Sequence, residues 1–361
     1  MRALRAIYGP IAALLLRAIA AIAGRRAPTD GVPPAVRSVL VLRIDDRVGN
    51  VLLTTPLIAR LQEALPGARV DLLVARSKID LVRGLVGVIP FEKKDLFRRP
   101  WRFLALLWRL RRARYDVAID ASHWHTFSTS SALLLAWTRA GIRIAHDRGS
   151  WSRWATDRVP LPAADLRESE IRTKLRLLEP LGIAPGSPRM LTALGQSAEA
   201  RAAIDAWLRA RGLHGLPLVG LSPGGRKPAH RMAPEVFVAL AAQARRLGAR
   251  PIILWGPGEE ALAAELARTA EAELAPPTDL ERLAALMGRC SAIAVNDTGP
   301  MHLAVAVGAP TIALFTQPAE WRWGHAEPPH VVIPGADRAL GDVVADARAA
   351  MERLLGAREV A

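Results

Sequence analysis

Along most of the chain, short apolar runs rich in Val, Ile and Leu alternate with longer stretches whose apolar positions recur at helical spacing. Ser38–Ile44 (SVLVLRI) reads as a buried strand, and Asn50–Leu65 reads as a helix stopped by Pro66-Gly67. Val70–Val74, Val88–Phe91 and Val117–Asp120 read as further strands, with helical stretches near residues 130–140 and 168–181. Residues 182–195 are rich in Gly and Pro and read as a linker. A second series follows: strands at Leu218–Ser222, Pro251–Trp255, Ala292–Asn296 and Thr311–Phe315, with helices at Pro234–Leu247, Glu259–Glu271 and Pro300–Val307. Strand and helix in alternation predict parallel sheets built from βαβ units. Two such series predict two domains, with ligands in a crevice beyond the carboxyl ends of the strands.

Length agrees, because 361 residues suit two domains of about 150 each. The single cysteine, Cys290, excludes a disulfide framework and a Cys-based zinc site, and suits a reducing compartment. Charge adds more. The formal net charge is +15, and residues 1–114 carry 22 Lys+Arg against 8 Asp+Glu, while the remainder carries 27 against 26. Such an excess calls for an anionic partner. No zinc-finger spacing, RNP-type aromatic motif or basic heptad is present, so nucleic acid is not the expected partner.

A membrane surface has more support. Residues 6–23 (AIYGPIAALLLRAIAAIA) are apolar but interrupted by Arg17. A span needs about 20 apolar residues, and a central Arg costs about 3 kcal/mol on insertion scales. The segment reads as an interfacial helix or as a helix docked on the protein itself. Residues 93–114 hold nine basic residues and one acid, interleaved with Phe97, Trp101, Phe103 and Trp108. They predict an amphipathic helix touching an anionic membrane; the alternative is a helix with its Leu face in the core and its Arg face in water.

Three strand ends carry candidate chemistry. Arg43–Pro56 runs from a strand through Asp45, Asp46 and Gly49 into a helix. Its acids could face the crevice, but spacing alone favours Asp46 or Asn50 as a plain helix cap. Ser222-Pro-Gly-Gly-Arg-Lys227 closes a strand. Gly224 and Gly225 allow close backbone approach, and Arg226, Lys227 and Arg231 offer positive charge, without the spacing of a P-loop. A solvated basic loop is the other reading. In Asn296-Asp-Thr-Gly-Pro-Met-His-Leu-Ala304, Thr298 or Gly299 caps a helix that Pro300 opens. Its free amides suit a diphosphate, flanked by Asp297 and His302.

These three motifs, in this order, resemble glycosyltransferase family 9, the heptosyltransferases of lipopolysaccharide core assembly. The resemblance runs from about residue 39 to about residue 315. It implies an α/β, GT-B fold: two Rossmann-like domains with parallel sheets facing across a central cleft. The expected division is a basic segment at 1–35, an acceptor domain at 36–185 and a nucleotide-sugar domain at 186–361. It implies an inverting transfer of heptose from ADP-heptose, without metal or cofactor, to a lipopolysaccharide-type or other lipid-linked acceptor. The implied location is the cytoplasmic face of the inner membrane, held peripherally. Donor contacts are expected from Ser222, Gly224, Gly225, Arg226, Lys227, Arg231, Asp297, Thr298, Gly299, Pro300 and His302. One departure matters. The family's proposed base is the acid of a Gly-Asp motif, where this chain has Gly49-Asn50. A neutral amide takes no proton at pH 7, so Asp45 or Asp46 is the expected base. Another nucleotide-sugar enzyme, such as an epimerase, or a non-catalytic binding relative is the competing reading.

Overall fold

A computed structural model describes residues 36–163, 166–187 and 189–356. The apolar segment at 6–23 lies outside them. The chain divides into two units, Met1–Arg189 and Met190–Ala361.

The first unit has strands β1 (Ser38–Arg43), β2 (Arg69–Ala75), β3 (Gly87–Phe91), β4 (Val117–Asp120), β5 (Ile142–His146) and β6 (Asp157–Val159). They form a sheet in the order β3-β2-β1-β4-β5-β6, and every pairing is parallel. Its helices are α1 (Val48–Leu52), α2 (Thr55–Ala64), α3 (Asp95–Arg98), α4 (Pro100–Arg112), α5 (Thr129–Thr138) and α6 (Glu170–Leu175). Leu40 and Leu42 of β1 are fully buried among Leu73, Leu110, Leu135 and Ala145. Each such side chain stabilises the unit by about 2 kcal/mol.

The second unit repeats the plan. Strands β7 (Leu218–Ser222), β8 (Arg250–Ile253), β9 (Glu273–Leu274), β10 (Ala292–Asn296), β11 (Thr311–Phe315) and β12 (Val331–Pro334) form a parallel sheet in the order β12-β11-β10-β7-β8-β9. The helices are α7 (Ala198–Ala210), α8 (Pro234–Arg246), α9 (Glu260–Thr269), α10 (Leu280–Met287), α11 (Gly299–Ala306), α12 (Glu320–Trp323) and α13 (Leu340–Gly356).

Prolines account for two departures from the expected elements. The single helix expected over 50–65 is two, α1 and α2. Pro56 lacks an N–H and its ring clashes with the carbonyl four residues back, so the chain breaks at Leu53-Thr54 and Pro56 opens a new helix. The stretch at 168–181 is α-helical only to Leu175 and then tightens to a 3₁₀ turn that contains Pro180. In both sheets the order turns back beside the first strand of the unit, β1 against β4 and β7 against β10. Their carboxyl ends are therefore switch points where an open parallel sheet exposes a crevice.

Candidate active site

Strand β10 ends at Asn296, which is fully buried. Its Nδ2 donates to the carbonyls of Pro223 (2.7 Å) and Gly224 (3.2 Å), and its Oδ1 accepts from the Met232 amide at 3.0 Å. One amide side chain thus staples the glycine loop after β7 and the segment before α8 to a single strand end. Glu259, at the start of α9, holds the same loop from the other side. Its carboxylate accepts the amides of Gly225 (2.7 Å) and Gly256 (3.0 Å). A Cβ on Gly224 would meet the half-buried Glu259 carboxylate, so a larger residue there would push that side chain from its place on the loop. Arg231 also braces the loop, its Nε donating to the Gly225 carbonyl at 2.7 Å.

The structure brings Ser222, Gly224, Gly225, Arg231, Asp297 and Thr298 together at the ends of β7 and β10. Ser222, Gly224 and Gly225 are buried, while Arg226 and Lys227 are exposed at the tip. Asp297 lies 3.1 Å from His230 Nδ1. Burial pushes its carboxyl above the usual range, against the pull of His230 and Lys227. Thr298 is the first residue before α11, but its hydroxyl donates to the Asn296 carbonyl at 3.2 Å and does not cap the helix. Pro300 opens that helix as expected. Without a side-chain cap, the amino end of α11 retains the donors and partial positive charge that suit an anion. His302 is buried in α11, and its Nδ1 lies 2.9 Å from His325 Nε2. Burial lowers His302 to about 4, so the ring is neutral near pH 7.

In the first unit, neither Asp46 nor Asn50 caps α1. The residue preceding that helix is Arg47, which makes no side-chain cap, and Asn50 lies within the helix. Asp46 is exposed. Asp45 is half-buried, and its Oδ1 accepts from Asn50 Nδ2 at 2.8 Å and from the Arg47 amide at 3.2 Å. Its Oδ2 lies 2.9 Å from Nε of Arg43, close enough to pair but off the line of a straight hydrogen bond.

Arg43 leads to a network that the sequence did not disclose. It is 2% exposed at the end of β1; its Nη1 donates to the Ala121 carbonyl at 2.8 Å and its Nη2 meets His123 Nε2 at 2.6 Å. His123 Nδ1 bonds to Glu170, which also accepts from Lys174 Nζ at 2.6 Å. A guanidinium only donates and a carboxylate only accepts, so His123 is the neutral tautomer with its proton on Nδ1. Burial lowers His123 to about 4, against its bond to Glu170. Burial raises the Glu170 carboxyl, but Lys174 and His123 override it and hold it down at about 2. Burial lowers Lys174 to about 8, with Glu170 opposing. Arg148 fixes the intervening loop, donating to the carbonyls of His123 (2.6 Å) and Trp124 (3.3 Å).

His123, His125 and Glu170 place potential metal-ligating atoms within 4.8 Å of one another. The surroundings do not fit a cation. Glu170 already holds Lys174, and Arg43 bonds the other nitrogen of His123, so a metal would face two fixed positive charges. Glu170, Lys174 and His123 lay in no motif, and Arg43 marked only the strand end that opens the Arg43–Pro56 motif.

Two α/β units of this kind, each with a parallel six-stranded sheet, make the GT-B architecture of nucleotide-sugar glycosyltransferases. The sequence pattern of glycosyltransferase family 9 (heptosyltransferase) matches residues 103–342, and the chain belongs to that family. It is 27% identical over 299 residues to lipopolysaccharide heptosyltransferase 3 of Escherichia coli K12, covering 76% of this chain and 82% of that protein. Among solved structures, a family 9 glycosyltransferase from Veillonella parvula superposes with a TM-score of 0.73 at 20% identity, over 88% of this chain and 97% of the other. The E. coli heptosyltransferase WaaC with ADP superposes with a TM-score of 0.68 at 22% identity, over 88% and 99%. The chain is therefore a glycosyltransferase of this family, which removes the epimerase reading.

Proposed function

We propose that this enzyme transfers heptose from ADP-heptose to a lipopolysaccharide core acceptor, at the cytoplasmic face of the inner membrane. The observation that carries this reading is the strand-end assembly around Asn296, a rigid glycine loop and an uncapped helix start held together beside Lys227 and Asp297. The family and the relatives named heptosyltransferases support the choice of sugar.

The second unit takes the donor. Lys227, Arg226 and the Gly299 amide at the start of α11 offset the charge that grows on the departing ADP as the bond from the anomeric carbon to the diphosphate breaks. Asp297, with His230, orients the donor. Arg231 acts by holding Gly225, and His302 by supporting α11 from its buried side.

The first unit supplies the base, and Asp45 fits that role better than Asp46. Its carboxylate sits 2.8 Å from Nδ2 of Asn50, the residue that replaces the family's acid, so a carboxylate is carried to the place where the motif lost one. Asp45 takes the proton of the acceptor hydroxyl as its oxygen bonds to the anomeric carbon from the face opposite the diphosphate. The configuration inverts, and positioning does the rest.

Incubating the protein with ADP-heptose and heptose-deficient lipopolysaccharide, with mass detection of the product, tests the reaction. A product heavier by one heptose is expected. No product from ADP-heptose, with transfer from another nucleotide-sugar, would overturn the donor.

A further inference from the structure

Helix α4 has two apolar faces, and the core uses only one. Phe103, Leu106 and Leu107 pack against the core cluster that contains the buried Leu110. On the other face, Trp101, Leu104 and Trp108 recur three and four residues apart, which stacks them along one line of the helix. They are 65%, 62% and 62% exposed. Phe97, in the preceding turn of helix, is 70% exposed and Leu96 is 42% exposed. Single exposed apolar residues are ordinary; a continuous stripe with two tryptophans is the mark of an interaction surface.

The charge around the stripe selects the partner. Exposed cations flank it on both sides: Arg98, Arg99 and Arg102 near its start, Arg109 and Arg112 near its end. The only acid in residues 93–114, Asp95, is buried and lies 3.6 Å from Arg76. The Arg112 guanidinium lies 4.9 Å from the centre of the Trp108 ring, so a cation and an indole share one patch. A water-facing helix would carry charges of both signs here. Indoles with an arginine collar and no exposed acid match the boundary between lipid headgroups and acyl chains in an anionic leaflet.

We propose that the outer face of α3 and α4 docks on an anionic bilayer. Trp101, Leu104, Trp108 and Phe97 enter the headgroup region, and the surrounding arginines pair with lipid phosphates. The proposal rests on the reading that the acceptor is membrane-borne, and it goes further by assigning the surface that meets the membrane. No residue of the donor loop or the Asp45 network belongs to it.

The test uses the full chain and phosphatidylglycerol vesicles, with phosphatidylcholine vesicles as the control. Leu104→Cys is labelled with an environment-sensitive dye; Cys290 is buried and does not compete. A blue shift with phosphatidylglycerol, absent with phosphatidylcholine and reversed by high salt, is expected. The variant with Trp101→Ala, Leu104→Ala and Trp108→Ala together should sediment with phosphatidylglycerol vesicles about tenfold less well, and should keep wild-type turnover on a detergent-dispersed acceptor. An unshifted dye, or undiminished sedimentation of the variant, overturns the proposal. So does a wild-type dimer that this variant dissociates, because the stripe would then be a contact between copies. Vesicle binding requires no catalysis, so failure of heptose transfer leaves this measurement intact.

Discussion

Replacing Glu170 by Gln keeps the shape of the side chain, and the amide oxygen can still accept from His123 Nδ1 and Lys174 Nζ. Only the charge is lost, from a site where Glu170 and Lys174 have 0% and 1% of their side chains exposed. At 2.6 Å and an effective dielectric of 20, the gross attraction is about 6 kcal/mol. A second route uses the carboxyl itself, held at about 2 against an ordinary 4.5, which corresponds to about 3 kcal/mol of net stabilisation. Orphaning one member of a buried pair costs about 3–5 kcal/mol, in line with the second figure. Glu170→Gln should therefore destabilise the first unit by about 3 kcal/mol in urea unfolding followed by circular dichroism. Lys174→Met removes the orphaned ammonium, and the double variant should recover about 2 kcal/mol of that loss. The pH dependence has a definite sign. Lys174 is lowered when folded, and more so without Glu170; the unfolded lysine is common to both proteins, so the deficit is full at low pH and shrinks as pH rises to about 8, where the wild-type ammonium also gives up its proton. A Glu170→Gln cost below about 1 kcal/mol, or no coupling between the two substitutions, would refute the network.

Asp45→Asn should reduce turnover by more than about tenfold while Asp46→Asn leaves it near wild type; Asn50→Asp in the Asp45→Asn background should restore part of the loss, and an inert Asp45→Asn would remove it as the base. Lys227→Ala and Asp297→Ala should each lower turnover more than about tenfold with unfolding midpoints unchanged, as read by coupled ADP release. Gly224→Ala drives a methyl into Glu259 and should abolish ADP-dependent thermal stabilisation, which Gly224→Ala with Glu259→Ala should partly return. Burial holds His123 and His302 at about 4 and His146 at about 3, all below the ordinary 6.5. Their stabilising contribution is complete above pH 6.5 and is lost as pH falls toward those values, by up to about 3 kcal/mol for His123 and for His302 and about 5 kcal/mol for His146, so the unfolding midpoint should drop steeply between pH 6 and about 4.

Most of both sheets was readable because buried parallel strands are nearly unbroken apolar runs: Leu218–Ser222, Ala292–Asn296 and Thr311–Phe315 lie where the pattern placed them. Strand β5 was not readable. Arg143 interrupts its run, and only the fold shows that this guanidinium is buried, donating to the carbonyls of Trp154 and Ala140 at 2.8 Å. Helices α1 and α2 merged in the sequence because apolar spacing continues across Pro56, whereas hydrogen bonding does not. At the donor loop, glycines and cations marked the chemistry, but Glu259 stands 34 residues from Gly225 and no local pattern connects them. The Arg43–His123–Glu170–Lys174 chain draws on the end of β1, the loop after β4 and helix α6. Residues far apart in sequence are joined only by tertiary structure, so its members read as ordinary polar positions.

Asn296 shows how narrow a chemical specification one position can carry. It must donate in one direction, to the two loop carbonyls, and accept from the opposite side of the same planar group, from the Met232 amide. Aspartate has the shape without the donor, leucine has the bulk without either, and glutamine has both functions one methylene too far out. Two segments 64 and 73 residues away are brought into register by a group of three heavy atoms. A change there would alter no contact with substrate, yet it would release the donor loop from the sheet, so inactivity could arise with every substrate-facing residue still in place.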